Sequence, residues 1–383
     1  MPTRRKILGG AAASLAGMAA TPLFAANSAD TGQTSPAGNH ASPDSLPSEL
    51  PDNPPLASNL FPPEHRYGVG GTQLGNIFSV TPDDEAQAML EASWAAGARY
   101  FDTAPFYGFG LSERRLGHFL DDKNPEDYVL STKTGRLLKA NASPSDKGIW
   151  KGHLNFGYHF DFTAAGTRRS VEDSLQRLGV SKIDLVTIHD ITEPMLGPGW
   201  KEQLKIAREG AMPELTRMRD EGIIGGWGMG VNNIQTCIEA IEHADPDIML
   251  QATQYNLMDH QEVLRRLIPK CRDNDIALII GAPLGAGFLA GRDRWLYGDT
   301  IPDGYLKKRA RMNELAIAHD TDLRTAALQF TTAPDVVAAT IPGARNALQA
   351  RENYASMTQT VPSEFWAALK NDGLIDENAP TPG

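Results

Sequence analysis

The chain has 383 residues, 41% of them hydrophobic and 22% charged, enough apolar content to bury a large core, so disorder over most of its length is excluded. Its 36 Lys and Arg against 47 Asp and Glu give a net charge of −11, and no basic stripe interleaved with aromatics occurs, which argues against a nucleic-acid partner. The two cysteines, Cys237 and Cys271, are too few and too far apart for a CxxC metal or cluster site and read as inert buried thiols.

At the start, Thr3-Arg4-Arg5-Lys6-Ile7-Leu8 precedes a mildly apolar run over 9–20, and the small residues Ala25 and Ala26 follow Leu23-Phe24. This is the pattern of a twin-arginine export signal over 1–26, cleaved near Ala26, and it implies a periplasmic destination, or a cytoplasmic one if the signal is not used. The run is too short and too rich in Gly, Ala and Ser for a stable membrane anchor. Residues 27–64, rich in Ser, Pro, Asn and Ala, read as a linker. Residues 65–360 read as the catalytic domain, and 361–383 as a short helix over 363–370 with a Pro-containing tail.

Within 65–360, short apolar or β-branched runs alternate with amphipathic helical patterns. Strands are expected at 67–70, 99–102, 128–132, 183–189, 225–229, 248–254, 276–281 and 336–341. Helices follow at 83–96, 112–120, 167–178, 211–221, 234–243, 261–273, 307–319 joined to 322–332, and 346–357. Eight βα units in this length fit an α/β chain folded as a closed (β/α)8 TIM barrel, one domain, better than an open doubly wound sheet. The dinucleotide fingerprint of such a sheet, GxGxxG after the first strand, is missing.

A barrel of this kind keeps its chemistry at the C-terminal ends of its strands. Asp102 ends the second strand, with Tyr107 in the loop beyond it; Lys133 ends the third and His189 the fourth. Hydride transfer to or from a carbonyl carbon requires a proton to move at the oxygen, and a tyrosine with a pKa near 10 needs help to serve as base. An adjacent Lys133 would lower that pKa, Asp102 would hold Lys133, and His189 would bond the substrate oxygen.

These residues carry a resemblance. Tyr100-Phe101-Asp102-Thr103-Ala104-Pro105-Phe106-Tyr107-Gly108, with Ser112-Glu113, is similar to the aldo-keto reductase signature, as are Ser131-Thr132-Lys133 and Ile188-His189-Asp190. The resemblance runs from about Tyr67 to the C-terminus. The stretch from Phe109 to Arg115 and the end around Phe365-Trp366 resemble the bacterial branch that contains aldose, fucose and pyridoxal dehydrogenases. It implies an NAD(P)-dependent oxidoreductase acting on a carbonyl, alcohol or aldose hemiacetal, with Tyr107 as acid or base, Lys133 and Asp102 tuning it, and His189 orienting the substrate.

The resemblance also implies contacts for NAD or NADP. They are Gly71 and Thr72 at the ribose, Asn232 at the carboxamide, Pro283, Leu284, Gly285 and Gly287 over the pyrophosphate, and Gly343, Arg345, Gln349, Glu352 and Asn353 around the adenosine half. A helix N-terminus after the last strand suits phosphate. Gly343 stands where NADP-preferring members usually carry Lys, with Arg345 as a substitute cation. Gly281 replaces an aromatic that stacks on nicotinamide in many members. Gly230 and Ala252 replace polar residues that hold the carboxamide.

Residues 136–166 and 191–210 read as long loops shaping the substrate pocket, with Trp150, Phe156, Tyr158 and Trp200 available to stack on a sugar or aromatic ring. Two other readings stand beside the enzyme: a non-catalytic nucleotide-binding barrel acting as sensor or scaffold, and a metal hydrolase. HxH and HExxH spacings are absent and His153 and His159 make poor ligands, so no metal is expected.

Overall fold

A computed structural model describes residues 66–144, 148–298 and 300–382. The signal and linker expected over 1–26 and 27–64 lie outside the described residues. Ten strands form among them: β1 (Gly68–Gly70), β2 (Tyr100–Asp102), β3 (Val129–Thr134), β4 (Arg136–Ala140), β5 (Phe156–Phe160), β6 (Ile183–His189), β7 (Ile224–Val231), β8 (Ile248–Ala252), β9 (Ala277–Gly281) and β10 (Val337–Ile341). All but β4 and β5 make one parallel sheet in the order β1-β2-β3-β6-β7-β8-β9-β10. The sheet closes on itself. Tyr67 bridges Thr340 in parallel, and Thr340 N donates to Arg66 O and Gly70 N to Pro342 O, each at 3.1 Å.

Closure follows from alternation along each strand. Tyr100, Leu185, Ile248, Leu250, Ile279 and Ile341 fill one cluster, the barrel interior. Their strand neighbours Phe101, Leu130, Val186, Met249, Leu278 and Ile280 join the larger core beneath the helices. Strand β7 shows why its sequence looks loop-like: Trp227, Met229 and Val231 join that outer core, while a Cβ on Gly228 would stand 1.7 Å from Ile248 O. Glycine is needed there because the neighbouring strand leaves no room.

The helices are α1 (Asp83–Ala95), α2 (Leu111–Leu120), α3 (Ala164–Leu178), α4 (Glu193–Leu196), α5 (Trp200–Glu209), α6 (Ala211–Asp220), α7 (Ile234–His243), α8 (Ile268–Asp273), α9 (Tyr305–Ala318), α10 (Leu323–Thr332), α11 (Ala347–Thr358) and α12 (Ser363–Asn371). Among the described residues, no helix is long and apolar enough to cross a membrane. Asn233 caps α7, accepting from Gln235 N at 2.7 Å, and Asn346 caps α11, accepting from Gln349 N at 3.0 Å.

Three expectations change. The stretch 136–166 is not simply loop: β4 and β5 pair antiparallel, with Arg136 opposite Phe160 and Leu138 opposite Tyr158. Residues 191–210 hold α4 and α5. The C-terminal segment is part of the body, since Phe365, Trp366 and Leu369 of α12, with Ile375 and Ala379, are buried in the main core.

Candidate active site

Inward-facing ends of β2, β3 and β6 place Asp102, Lys133 and His189 on one rim. Pairing puts Asp102 beside Ser131 across β2 and β3, and Lys133 beside Thr187 across β3 and β6. Lys133 and Asp102 are each 2% exposed and form an ion pair, with Nζ 2.8 Å from Oδ1 and 2.6 Å from Oδ2. Lys133 Nζ also donates to Thr103 O at 2.8 Å, which occupies the three donors of the ammonium. Ser131 Oγ donates to Asp102 Oδ1 at 2.7 Å and accepts from Tyr100 OH at 2.9 Å, so the carboxylate is held by two side chains of β3, one of them backed from β2.

Tyr107 arrives from a turn in which Gly108, Phe109 and Gly110 adopt φ of 62°, 53° and 95°. This left-handed run explains the glycines on either side of Phe109. Behind it, the start of α2 is fixed by Ser112 Oγ donating to Gly71 O at 2.8 Å. Glu113, fully buried, accepts from Thr132 Oγ1 at 2.8 Å and from Arg177 Nε at 2.6 Å. Lys133 Nζ lies 4.7 Å from the Tyr107 ring centroid, and the His189 ring packs edge-on at 5.9 Å.

Burial pushes the Tyr107 hydroxyl well above its ordinary pKa, and the charges of Asp102 and Asp190 add to this, against a smaller opposing effect of Arg136. Burial outweighs any lowering by Lys133. The lysine's donors are all engaged and its charge is answered by Asp102, so no hydrogen bond remains to stabilise a phenolate. His189 moves the other way: burial first, then cationic Arg136 and Lys133, hold the imidazole neutral well below its usual range.

Three residues that carried no role in the sequence join this group. Arg136, at the start of β4, is buried with its Nη2 3.2 Å from Asp190 Oδ2 and its guanidinium 4.3 Å from the Phe106 ring centroid. Asp190 Oδ2 also lies 3.3 Å from His189 Nε2. Tyr297, beyond β9, is 41% exposed as a residue, and its hydroxyl is raised above its ordinary pKa by desolvation and by the charges of Tyr107 and Asp190, against an opposing effect of Lys133. The readable signals are adjacency, Asp190 following His189, and Arg136 lying three residues beyond Lys133.

Of the expected aromatic wall, Trp150 packs 5.4 Å from both Tyr107 and Phe106, and Tyr158 5.1 Å from Phe106. Phe156 lies exposed at the hairpin edge, and Trp200 packs against the outer core from α5, so neither of these two joins the cluster around Tyr107.

The expected nucleotide contacts divide. Near the ends of β1 and β10, a Cβ on Gly343 would sit 3.7 Å from Thr72 Oγ1 and 3.3 Å from Gln73 Cγ. Arg345 bonds Ser79 Oγ, and its Nε donates to Gln73 Oε1 at 3.4 Å, so it spans from the β10 loop to the β1 loop. Gln349 Oε1 accepts from Arg345 N at 3.0 Å at the start of α11. Glu352 and Asn353, expected at adenine, have structural partners: Glu352 accepts from Arg324 Nη1 at 2.6 Å, and buried Asn353 bonds the Tyr67 hydroxyl and Gly343 O. Gly71 is a packing residue, since its Cβ would stand 2.4 Å from Asp102 O. Asn232 follows β7, half-buried, beside the capping Asn233. Pro283 and Leu284 lead into a turn where Gly285 and Gly287 have φ of 57° and 98°, and a Cβ on Gly285 would meet the Trp295 ring at 2.7 Å.

The small residues at the rim leave space. A Cβ on Gly281 would lie 3.2 Å from that of Ala252, so the ends of β8 and β9 meet with nothing longer than a methyl. A Cβ on Gly230 would strike Thr187 Oγ1 at 2.4 Å and approach Lys133 Cε at 3.6 Å. Both cysteines are buried, which pushes the Cys271 thiol up to about 12. Among the described residues, no group of three or more His, Cys, Asp or Glu gathers as metal ligands.

The family described as the Aldo/keto reductase family matches residues 66–371. A pyridoxal 4-dehydrogenase of Microbacterium luteolum is 35% identical over 324 residues, 80% of this chain and 94% of its own. A D-threo-aldose 1-dehydrogenase of a Pseudomonas species is 34% identical over 328 residues, 82% of this chain and 94% of its own. The solved holo form of an aldo-keto reductase from Bacillus halodurans shares the fold at a TM-score of 0.65 and 21% identity, covering 84% of this chain and 96% of that one.

Proposed function

Since the chain belongs to the aldo/keto reductase family of oxidoreductases, we propose that it moves a hydride between a nicotinamide dinucleotide and a carbonyl, alcohol or aldose hemiacetal. The observation that carries this reading is the buried Lys133–Asp102 pair set against the Tyr107 ring, with neutral His189 edge-on to the same ring. Four groups converging on one rim are difficult to explain as packing alone.

The other side of the mouth supports a dinucleotide as the hydride carrier. Thr72, Gly343 and Arg345, with the amide end of α11, offer a place for the adenosine phosphates, and the bare ends of β8 and β9 offer a flat place for a ring. A nucleotide held there by Thr72, Gly343 and Arg345 would supply or accept the hydride at the substrate carbon.

The chain's own residues handle the proton. With its pKa raised, Tyr107 is protonated at neutral pH and is set to donate to the oxygen of a carbonyl being reduced; in the oxidative direction it must first lose that proton to solvent and then accepts the one released by the substrate hydroxyl. Neutral His189 orients that oxygen. Lys133, fixed by Asp102 and Thr103 O, keeps a positive charge beside the place where the oxygen becomes negative. Trp150 and Phe106 exclude water from the hydroxyl of Tyr107 and supply a face for a sugar or aromatic ring.

The relatives named above suggest the substrate classes to try. Aldoses, pyridoxal and aromatic aldehydes, each with NAD(H) and NADP(H), should produce a change in nicotinamide absorbance for at least one class. A protein that binds either nucleotide but turns over none of them would favour the sensor reading.

A further inference from the structure

Asp190 is placed where no catalytic step uses it. It follows His189 at the end of β6 in a left-handed conformation, φ 51°, that a non-glycine residue seldom adopts. Its backbone N donates to Gly230 O at 3.0 Å, and Thr192 N donates to its carbonyl at 2.9 Å, so both sides of the residue are held. The side chain is turned toward the catalytic groups: Oδ2 lies 3.2 Å from Arg136 Nη2 and 3.3 Å from His189 Nε2.

Arg136 explains how a carboxylate persists there. The guanidinium is buried between the Phe106 and Phe160 rings, 4.3 and 5.1 Å from their centroids. Its Nε and Nη1 are buried without a hydrogen-bond partner, so Asp190 is the group that answers its charge. Burial raises the Asp190 carboxyl above its ordinary range, and the charge and hydrogen bond of Arg136 work against that rise and hold the group in place. The second oxygen, Oδ1, accepts no hydrogen bond among the described residues and is not among the fully buried unsatisfied atoms. A fixed acceptor with one oxygen open beside His189 has room for a donor from outside the chain.

We propose that Asp190 selects substrates carrying a hydroxyl on the carbon next to the reacting one, with Oδ1 accepting that hydroxyl's hydrogen bond while Tyr107 and His189 hold the reacting oxygen. Asp190 Oδ2 lies 3.3 Å from His189 Nε2, so the carboxylate stands beside the group that orients the reacting oxygen and can reach a hydroxyl on the neighbouring carbon. The proposal rests on the reading of this site as an oxidoreductase and narrows its substrates to the α-hydroxylated class. A site built to bond a hydroxyl discriminates against the analogue that lacks it more strongly than an apolar wall does, since the buried acceptor is then left without a donor.

The test uses matched pairs on the full chain: ribose with 2-deoxyribose, and glycolaldehyde with acetaldehyde, each with NAD(H) and NADP(H). The unaltered protein should favour the hydroxylated member of each pair by about 10-fold or more in kcat/KM, on the scale of one charge-assisted hydrogen bond. In Asp190→Ala that ratio should fall to within about 3-fold of the ratio expected without the contact, while Asp190→Asn, which keeps an acceptor without the charge, should lie between. Discrimination near one in the unaltered protein overturns the proposal even if neither variant folds. So does a ratio left unchanged in Asp190→Ala when both rates drop together, since Asp190 would then act only by orienting His189. Turnover of no pair with either nucleotide removes the oxidoreductase reading and this inference with it, whereas turnover without discrimination removes this inference alone.

Discussion

The ends of β2, β3 and β6 carry Asp102, Lys133 and His189, whereas the ends of β7, β8 and β9 carry Gly230, Ala252 and Gly281, and one barrel sets both on the same rim. The first half is over-determined: Asp102 takes bonds from Lys133 and Ser131, Lys133 spends its donors on Asp102 and Thr103, and Tyr100 backs Ser131. The second half is defined by what it lacks. Gly230 crosses the division, because by size it belongs with the bare strand ends, yet a Cβ there would collide with Thr187 and crowd Lys133. Its glycine therefore serves the charged half. Polar groups here set the chemistry and are costly to disturb singly, while absent side chains set the shape and tolerate more.

The largest effect should come from breaking the charged half at its ion pair. Lys133→Met leaves the Asp102 carboxylate buried without its cation, and removing one partner of such a pair costs about 3–5 kcal/mol. Urea unfolding at neutral pH should show that loss together with nearly complete loss of turnover. The double variant Lys133→Met with Asp102→Leu should recover much of the stability and none of the activity. A single variant within about 1 kcal/mol of the unaltered protein would mean that the pair is not desolvated as described.

Tyr107→Phe should be milder in stability and specific in effect. The ring still fills its place between Trp150 and His189, so the fold and nucleotide binding should persist while turnover falls by about 100-fold or more. The raised pKa gives a sign for pH as well. The hydroxyl stays protonated through neutral pH, so reduction should hold its rate from neutral into mildly alkaline buffer, while oxidation, which needs the proton accepted, should climb as pH rises. Near-normal turnover in the phenylalanine variant would assign the proton to another residue.

The two halves were not equally legible in the sequence. Strand ends in a barrel repeat at every βα unit, so Asp102, Lys133 and His189 could be placed on one rim from order alone, and the structure brings them together. The hairpin β4–β5 was hidden because RLLKA and FGYHF bury no regular face and are held by each other. Glu352 and Asn353, expected at adenine, also bond Arg324 and Tyr67, partners on distant parts of the chain that no local pattern links to α11. The Tyr107 shift was misjudged for a related reason. Proximity to a lysine is readable from strand order, whereas burial and the prior commitment of that lysine's donors are properties of the packed site.

The smallest effect, and the one that sharpens the boundary of the bare half, concerns Arg345. A 2′-phosphate needs a fixed cation, and with glycine at 343 the guanidinium of Arg345 is the group expected to meet it. Its bonds to Ser79 and Gln73 hold it across the gap between the β10 and β1 loops, where an arriving phosphate would compete for it. A charge-assisted bond to that phosphate, set against the glycine at 343, would give dual nucleotide use with modest discrimination, weakly favouring NAD. Arg345→Ala should weaken NADP by about 10-fold and NAD by less than about 3-fold when both dissociation constants are measured by titration. Equal losses would show that Arg345 acts as a clasp between the two loops and touches a group common to both nucleotides. Recognition of the 2′-phosphate would then have to come from elsewhere on the rim.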